Sequence, residues 1–282
     1  MPMTPQEVIQ NLGDLPPLPQ VATRAIRISA ESDTSSEELQ DLIRRDQALS
    51  AQLLRIANSA MFGRMREVVT LTEAIMTLGF STARSVVIAS SVKNLFTRGP
   101  ASLLERSLWE HALASAITGS ALCRCLRFPM AEEVFLAGLI HDIGKSVMAL
   151  KFPEAYGALL RDLRDHGGDG LSLELDAFGF DHAMVGEALL ESWNLAEGIE
   201  AVVRWHHDPL QAPTEHRRLV ALVALGNQVA IDLQIGLGSP DSLAGATREA
   251  MDILQLDNGA YQEHRTGTVE ALERDRALLT EF

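Results

Sequence analysis

Basic residues are in short supply. Lys and Arg total 24 against 38 Asp and Glu, a formal net charge of −14. A surface with that balance does not neutralise phosphates, which excludes non-specific binding to nucleic acid or to an anionic membrane and leaves only a local basic pocket open. Cysteine is nearly absent: Cys123 and Cys125 are the two in 282 residues. Two positions apart on a helix, they point to different faces, so they make neither a disulfide framework nor a zinc knuckle. Aromatics are 5% of the chain, so the core must come from Leu, Ala, Val and Ile, and Leu and Ala favour helix. No apolar run approaches the ~20 residues of a membrane helix. The opening Met1-Pro2-Met3-Thr4-Pro5 lacks the basic-then-apolar pattern of a secretory signal. By elimination the expected compartment is the cytoplasm.

What is present is a succession of short amphipathic helices. Leu15-Pro16-Pro17-Leu18-Pro19 reads as a stiff connector, because each Pro fixes φ and removes a donor. Ser35 with Glu38, and Thr70 with Glu73, are capping-box pairs ahead of apolar positions that share one face. Arg98-Gly99-Pro100 is the clearest break. The second half predicts helices over 103–126, 131–150, 182–193, 196–207 and 216–234, with Asp181 as the N-cap of the third. The expected architecture is all-α: an N-terminal helical subdomain over 1–100, a multi-helix bundle over 101–235 and a helical tail over 236–282.

Histidine placement carries the chemistry. His111, His141-Asp142, His182 and His206-His207 fall in that order on the helices of the second half. Imidazole and carboxylate are the usual ligands of Zn, Fe, Mn and Ni, and a helical bundle collects ligands by projecting them inward from facing helices. Adjacent residues on a helix diverge by about 100°, so each pair would straddle a site, or serve two ions side by side. The segment Ala137-Gly138-Leu139-Ile140-His141-Asp142-Ile143-Gly144-Lys145 sets polar groups in an apolar run, and burying them without partners would be costly. Gly138 and Gly144 imply close packing or ligand access. Lys145, four residues after His141, shares its face and could meet a phosphate. His166, His216 and His264 sit in polar settings and read as surface residues.

The stretch Gly138–Lys145 resembles the His-Asp motif of the HD superfamily, and the histidine order is similar to that of HD-GYP cyclic-dinucleotide phosphodiesterases. The first half is more specific. Leu15-Pro16-Pro17-Leu18-Pro19, Asp46-Gln47-Ala48-Leu49, Leu53–Ala60 and Ala74-Ile75-Met76-Thr77-Leu78-Gly79 resemble the HDOD family, as do Asp181–Gly186 and Leu189–Trp193. The likeness covers roughly residues 12–235. It implies an HD-like fold and a regulatory role in bacterial signal transduction, in a family whose metal site is usually degraded and which no general catalytic activity defines. This chain keeps most of the histidines. It departs from catalytic HD enzymes at Asn227, where the resemblance places an aspartate, and it has no Gly-Tyr-Pro signature after His206-His207-Asp208-Pro209.

Two functions follow as expectations. One is a regulatory module that acts through a signalling-protein partner or a small phosphorylated ligand, with His111, His141, Asp142, His182, His206 and His207 holding a divalent transition metal (Fe, Mn, Ni or Zn). The other is a metal-dependent phosphohydrolase acting on a nucleotide or cyclic dinucleotide, in which Asp142 and Lys145 would be catalytic. The resemblance favours the first.

Overall fold

The computed structural model describes residues 3–10, 19–28, 35–58, 67–96, 103–193, 195–236 and 244–274, and among them every regular element is helical. Most of the Pro-rich connector and the break at 98–100 lie outside these residues, as do Ser59-Ala60 and the end of the tail. Among the described residues no single helix is long and apolar enough to cross a membrane.

The chain divides into two compact units, Pro16–Asn94 with Glu273–Phe282, and Met1–Leu15 with Leu95–Leu272. The smaller contains α2 (Gln20–Arg27), α3 (Ser35–Arg44), α4 (Gln47–Ala57), α5 (Leu71–Leu78) and most of α6 (Phe80–Phe96). Leu39, Ile43, Leu53, Ile56 and Ala74 are fully buried there, at the helical spacing the sequence displays. Asp46 caps α4 by accepting from the N–H groups of Ala48 and Leu49, and Thr70 caps α5 through the N–H of Glu73 at 3.2 Å. The Asn58 side chain acts as a surrogate strand. It donates to the Val68 carbonyl at 2.8 Å and accepts from the Val68 N–H at 2.7 Å, fastening the approach to α5 onto the end of α4.

The larger unit begins with α1 (Pro5–Gln10), which packs on α12 (His182–Trp193) and buries Val8. This short helix, expected with the N-terminal subdomain, groups with the histidine-bearing unit, where it packs on α12. The tail is not a separate body up to Leu272: α15 (Ala244–Leu254) packs on α14 (Arg217–Asp232). The frame of the unit is α7 (Leu103–Cys125) against α14 and α8 (Ala131–Ile140). Every residue of α14 from Leu219 to Ile231 is buried, as an all-round apolar helix must be. Cys123 is buried and Cys125 exposed, as divergent faces require. The remaining elements are α9 (Ile143–Lys151), α10 (Pro153–His166), α11 (Gly170–Phe178), α13 (Glu197–Trp205) and α16 (Asn258–Arg274).

Two departures from the sequence reading bear on function. The helix expected over 131–150 is broken at His141-Asp142: Asp142 has φ −101° and ψ 15°, and α9 starts again behind it. The 3.6-residue pattern runs through the break in phase, which hid it. And α11, over a stretch the sequence reading left without an element, is a regular helix whose N-cap Asp169 accepts from the N–H groups of Leu171 and Ser172.

Candidate metal centre

The break between α8 and α9 turns one carboxylate inward. Asp142 is 2% exposed, and imidazoles from α7, the α8–α9 joint, α12 and the end of α13 surround it. Its Oδ1 faces His182 Nε2 at 3.2 Å and His206 Nε2 at 3.4 Å. Its Oδ2 faces His111 Nε2 at 3.5 Å, His141 Nε2 at 3.4 Å and the Lys145 ammonium at 2.7 Å. His207 adds its Nε2 at 3.1 Å from that of His182. The structure therefore brings together all seven residues singled out in the sequence. His166 stays outside, exposed on α10 and bonded to Asp162.

Glycine makes the closure possible. A Cβ on Gly144 would lie 1.9 Å from the His182 carbonyl oxygen, and one on Gly138 would lie 2.8 Å from Ala116 Cα. The first position lets α9 touch α12 and sets His182 beside Asp142. The second lets α8 lie against α7.

The ring nitrogens are sorted by their partners. His141 Nδ1 lies 2.7 Å from the Gly138 carbonyl, His111 Nδ1 2.9 Å from that of Ile235, and His206 Nδ1 3.0 Å from that of Val203. A carbonyl only accepts, so each Nδ1 carries the proton and each neutral ring aims the lone pair of Nε2 at Asp142. Such outer hydrogen bonds are the usual means of fixing a ligating histidine. His141 Nε2, His206 Nε2, Asp142 Oδ1 and Asn227 Oδ1 are buried with no hydrogen-bond partner. Buried polar atoms are normally satisfied, and a cation would satisfy those that ligate it. Donors about 2.0–2.1 Å from a shared tetrahedral ion stand roughly 3.3 Å from one another, close to the spacings found here. Two overlapping groups have ligand atoms near enough to share an ion: Asp142 with His182, His206 and His207, and Asp142 with His111 and His141. The buried cluster could thus hold a metal, and its residues fit one.

Glu174 escaped the sequence reading. Carried on α11 and 2% exposed, it takes His182 Nδ1 at 2.7 Å and the His182 N–H at 2.8 Å on Oε2, and the Tyr156 hydroxyl at 2.7 Å on Oε1. Burial alone would lower the His182 pKa, but the Glu174 and Asp142 carboxylates outweigh it and lift it to about 9. Without a metal, His182 holds a second proton at neutral pH. Burial pushes His111, His141, His206 and His207 below the ordinary histidine value, keeping them neutral. Burial by itself would raise Asp142, yet Lys145 and the histidines hold its carboxyl well below the usual range.

A cavity of about 50 Å³ opens beside the cluster. His111, Asp142, Lys145, Glu174, His182, His207 and Asn227 line it together with apolar residues that include Leu108, Leu160, Leu171 and Ile231. Asn227, 2% exposed on α14, contributes a neutral amide beside His111.

The chain is an all-helical protein with a bundle closed around a histidine–aspartate cluster at a helix break, the fold that the resemblance implies. It belongs to the HDOD family, whose domain matches residues 15–209. A relative from Treponema pallidum (strain Nichols), itself uncharacterised, is 25% identical over 227 residues; the match covers 78% of this chain and 43% of the relative's length. An HDOD domain protein of unknown function from Geobacter sulfurreducens superposes with a TM-score of 0.82 at 23% identity, over 99% of this chain and 97% of that one. A Marinobacter aquaeolei VT8 protein, provisionally named for signal transduction, gives 0.76 at 23% identity over 96% of this chain and 60% of its own. A Shewanella amazonensis SB2B protein, provisionally named a phosphohydrolase, gives 0.72 at 23% identity over 97% of each chain. At these identities the likeness speaks for the fold.

Proposed function

We propose that the chain is a cytoplasmic regulatory HDOD protein that binds a divalent transition metal at the Asp142 centre and acts on a signalling-protein partner, with a small phosphorylated ligand as the signal it senses. The observation that carries this reading is the size and lining of the hollow. At about 50 Å³ it is well below the ~150 Å³ that accepts a benzene and the roughly 300–1,000 Å³ of ordinary ligand pockets. Its size suits an ion, a few waters or a small anion. Lys145 is the one lysine or arginine lining it among the described residues, whereas a cyclic dinucleotide carries two phosphates. A signal-transduction name on one structural relative accords with this reading.

A metal-dependent phosphohydrolase is the second reading. Lys145 shares the cavity with the ligand-type side chains His111, Asp142, His182 and His207, and two structural relatives carry provisional phosphohydrolase names. A bound dication supplies Lewis-acid polarisation of a phosphoryl oxygen and acidifies a water. In that case Lys145 would neutralise phosphate charge, and the Nδ1 partners would keep the rings oriented.

Elemental analysis of the purified chain tests the metal common to both readings, and the expected result is a stoichiometric transition metal. A panel of nucleotides, cyclic dinucleotides and small phosphate esters, supplied with Mn and Fe, then separates them. The regulatory reading expects no turnover. Turnover that vanishes in Asp142→Ala would replace it with the hydrolase.

A further inference from the structure

We infer that the chain holds one metal ion rather than two, in the half of the centre formed by His182, His206, His207 and Asp142 Oδ1, and that the Lys145 ammonium is the resident cation of the other half. This rests on the metal reading proposed above and specifies its stoichiometry and place.

Donor spacing alone does not choose between the halves. His111 and His141 stand 3.5 and 3.4 Å from Asp142 Oδ2, and His182 and His206 stand 3.2 and 3.4 Å from Oδ1. Charge does choose. Oδ2 already carries the Lys145 ammonium at 2.7 Å. A dication held by His111 and His141 would share that one oxygen with a positive group in hydrogen-bonding contact with it. The nearby side chain that could add a donor there is Asn227, a buried amide beside His111 that brings no charge. This half therefore offers a dication two neutral rings, a neutral amide and a carboxylate oxygen already paired with a cation.

The other half is richer in donors and in negative charge. Three imidazoles converge there, and the buried Oδ1 lies 3.2 Å from His182 Nε2 and 3.4 Å from His206 Nε2. Behind His182 stands Glu174, 2.7 Å from Nδ1. Two carboxylates, Asp142 beside the donors and Glu174 behind the His182 ring, give this half its negative charge. His182 and His207 bring their Nε2 atoms within 3.1 Å of each other, a separation suited to two ligands of one ion. His207 is the partly exposed member of the set, which gives an ion a way in.

The test uses the full chain equilibrated with excess Co²⁺ or Zn²⁺, freed of unbound metal and analysed by elemental content and by an anomalous-scattering map at the metal edge. The expected result is one ion per chain, with its peak among His182, His206 and His207. Losing even a supporting residue typically costs about 10–100-fold in metal affinity, so His207→Ala should weaken binding at least ~10-fold and His111→Ala less than ~3-fold. Lys145→Met combined with Asn227→Asp should admit a second ion. Two ions in the unaltered protein, or a peak between His111 and His141, would overturn the inference while leaving the metal reading intact. No ion at any concentration would remove the metal reading and this inference with it. The map needs no variant, so a misfolded substitution leaves the test standing.

Discussion

Replacing Glu174 by glutamine isolates the charge behind His182 from the shape of the site. Both bonds to His182 fall on Oε2 and the Tyr156 bond on Oε1. A glutamine can keep its oxygen toward His182 and turn its amide toward Tyr156, whose hydroxyl can rotate to accept. The hydrogen bonds survive and the negative charge is lost. A bond to a charged group contributes about 1.5–3 kcal/mol against roughly 0.5–1.5 for a neutral one, so two such bonds weakened together cost about 2–3 kcal/mol. At roughly 2–4 °C per kcal/mol for a unit of this size, the metal-free melting temperature should fall by about 5–10 °C. Metal affinity should drop about 10–100-fold, because His182 becomes a poorer ligand. Glu174→Leu should be worse, since it strands three buried donors at about 1–3 kcal/mol each. Calorimetry of the metal-free protein and a competitive chelator titration read the two effects. If Glu174→Gln matched the unaltered protein in both, Glu174 would be a bystander.

Three further outcomes are expected. In the metal-free protein, His182 is raised to about 9 from an ordinary 6.5; its contribution of roughly 3 kcal/mol is full below pH 6.5 and is lost as the pH rises through 9. Urea unfolding across pH 6.5–9.5 should show that decline, and metal affinity should rise over the same window as the competing proton leaves; a flat profile would refute the assignment. Gly144→Ala places a Cβ 1.9 Å from the His182 carbonyl and should cost about 1–3 kcal/mol or more, with metal content falling in parallel; a change under ~0.5 kcal/mol would mean that α9 and α12 do not touch there. Asn58→Ala removes both bonds to Val68 and should destabilise the smaller unit by about 1–3 kcal/mol, seen as faster amide exchange at Val68.

Much of this centre is legible in the sequence, because histidines and an aspartate inside apolar helices require partners. His111, His141, Asp142, His182, His206, His207 and Lys145 could all be named from order and setting, and Asn227 from the family resemblance. Glu174 could not. It is one acid among 38, in a stretch to which the sequence pattern assigns no element, and its partner His182 lies eight residues on, across the turn that separates α11 from α12. The signal lay at Asp169, an N-cap before Gly170, Leu171 and Ser172 that makes α11 a helix. The break at His141-Asp142 was hidden for a different reason: no proline marks it, and tertiary contacts on either side set it. Helix existence followed from periodicity. The place of α1 did not, since packing over long sequence separation decides it.

That break has a mechanical consequence. The joint divides a stretch whose upstream arm, α8, lies on α7 and α14, and whose downstream arm, α9, lies on α12. The carboxylate of Asp142 sits on the elbow itself, so the packing of both arms fixes where it points, and a substitution that loosens either contact misplaces it.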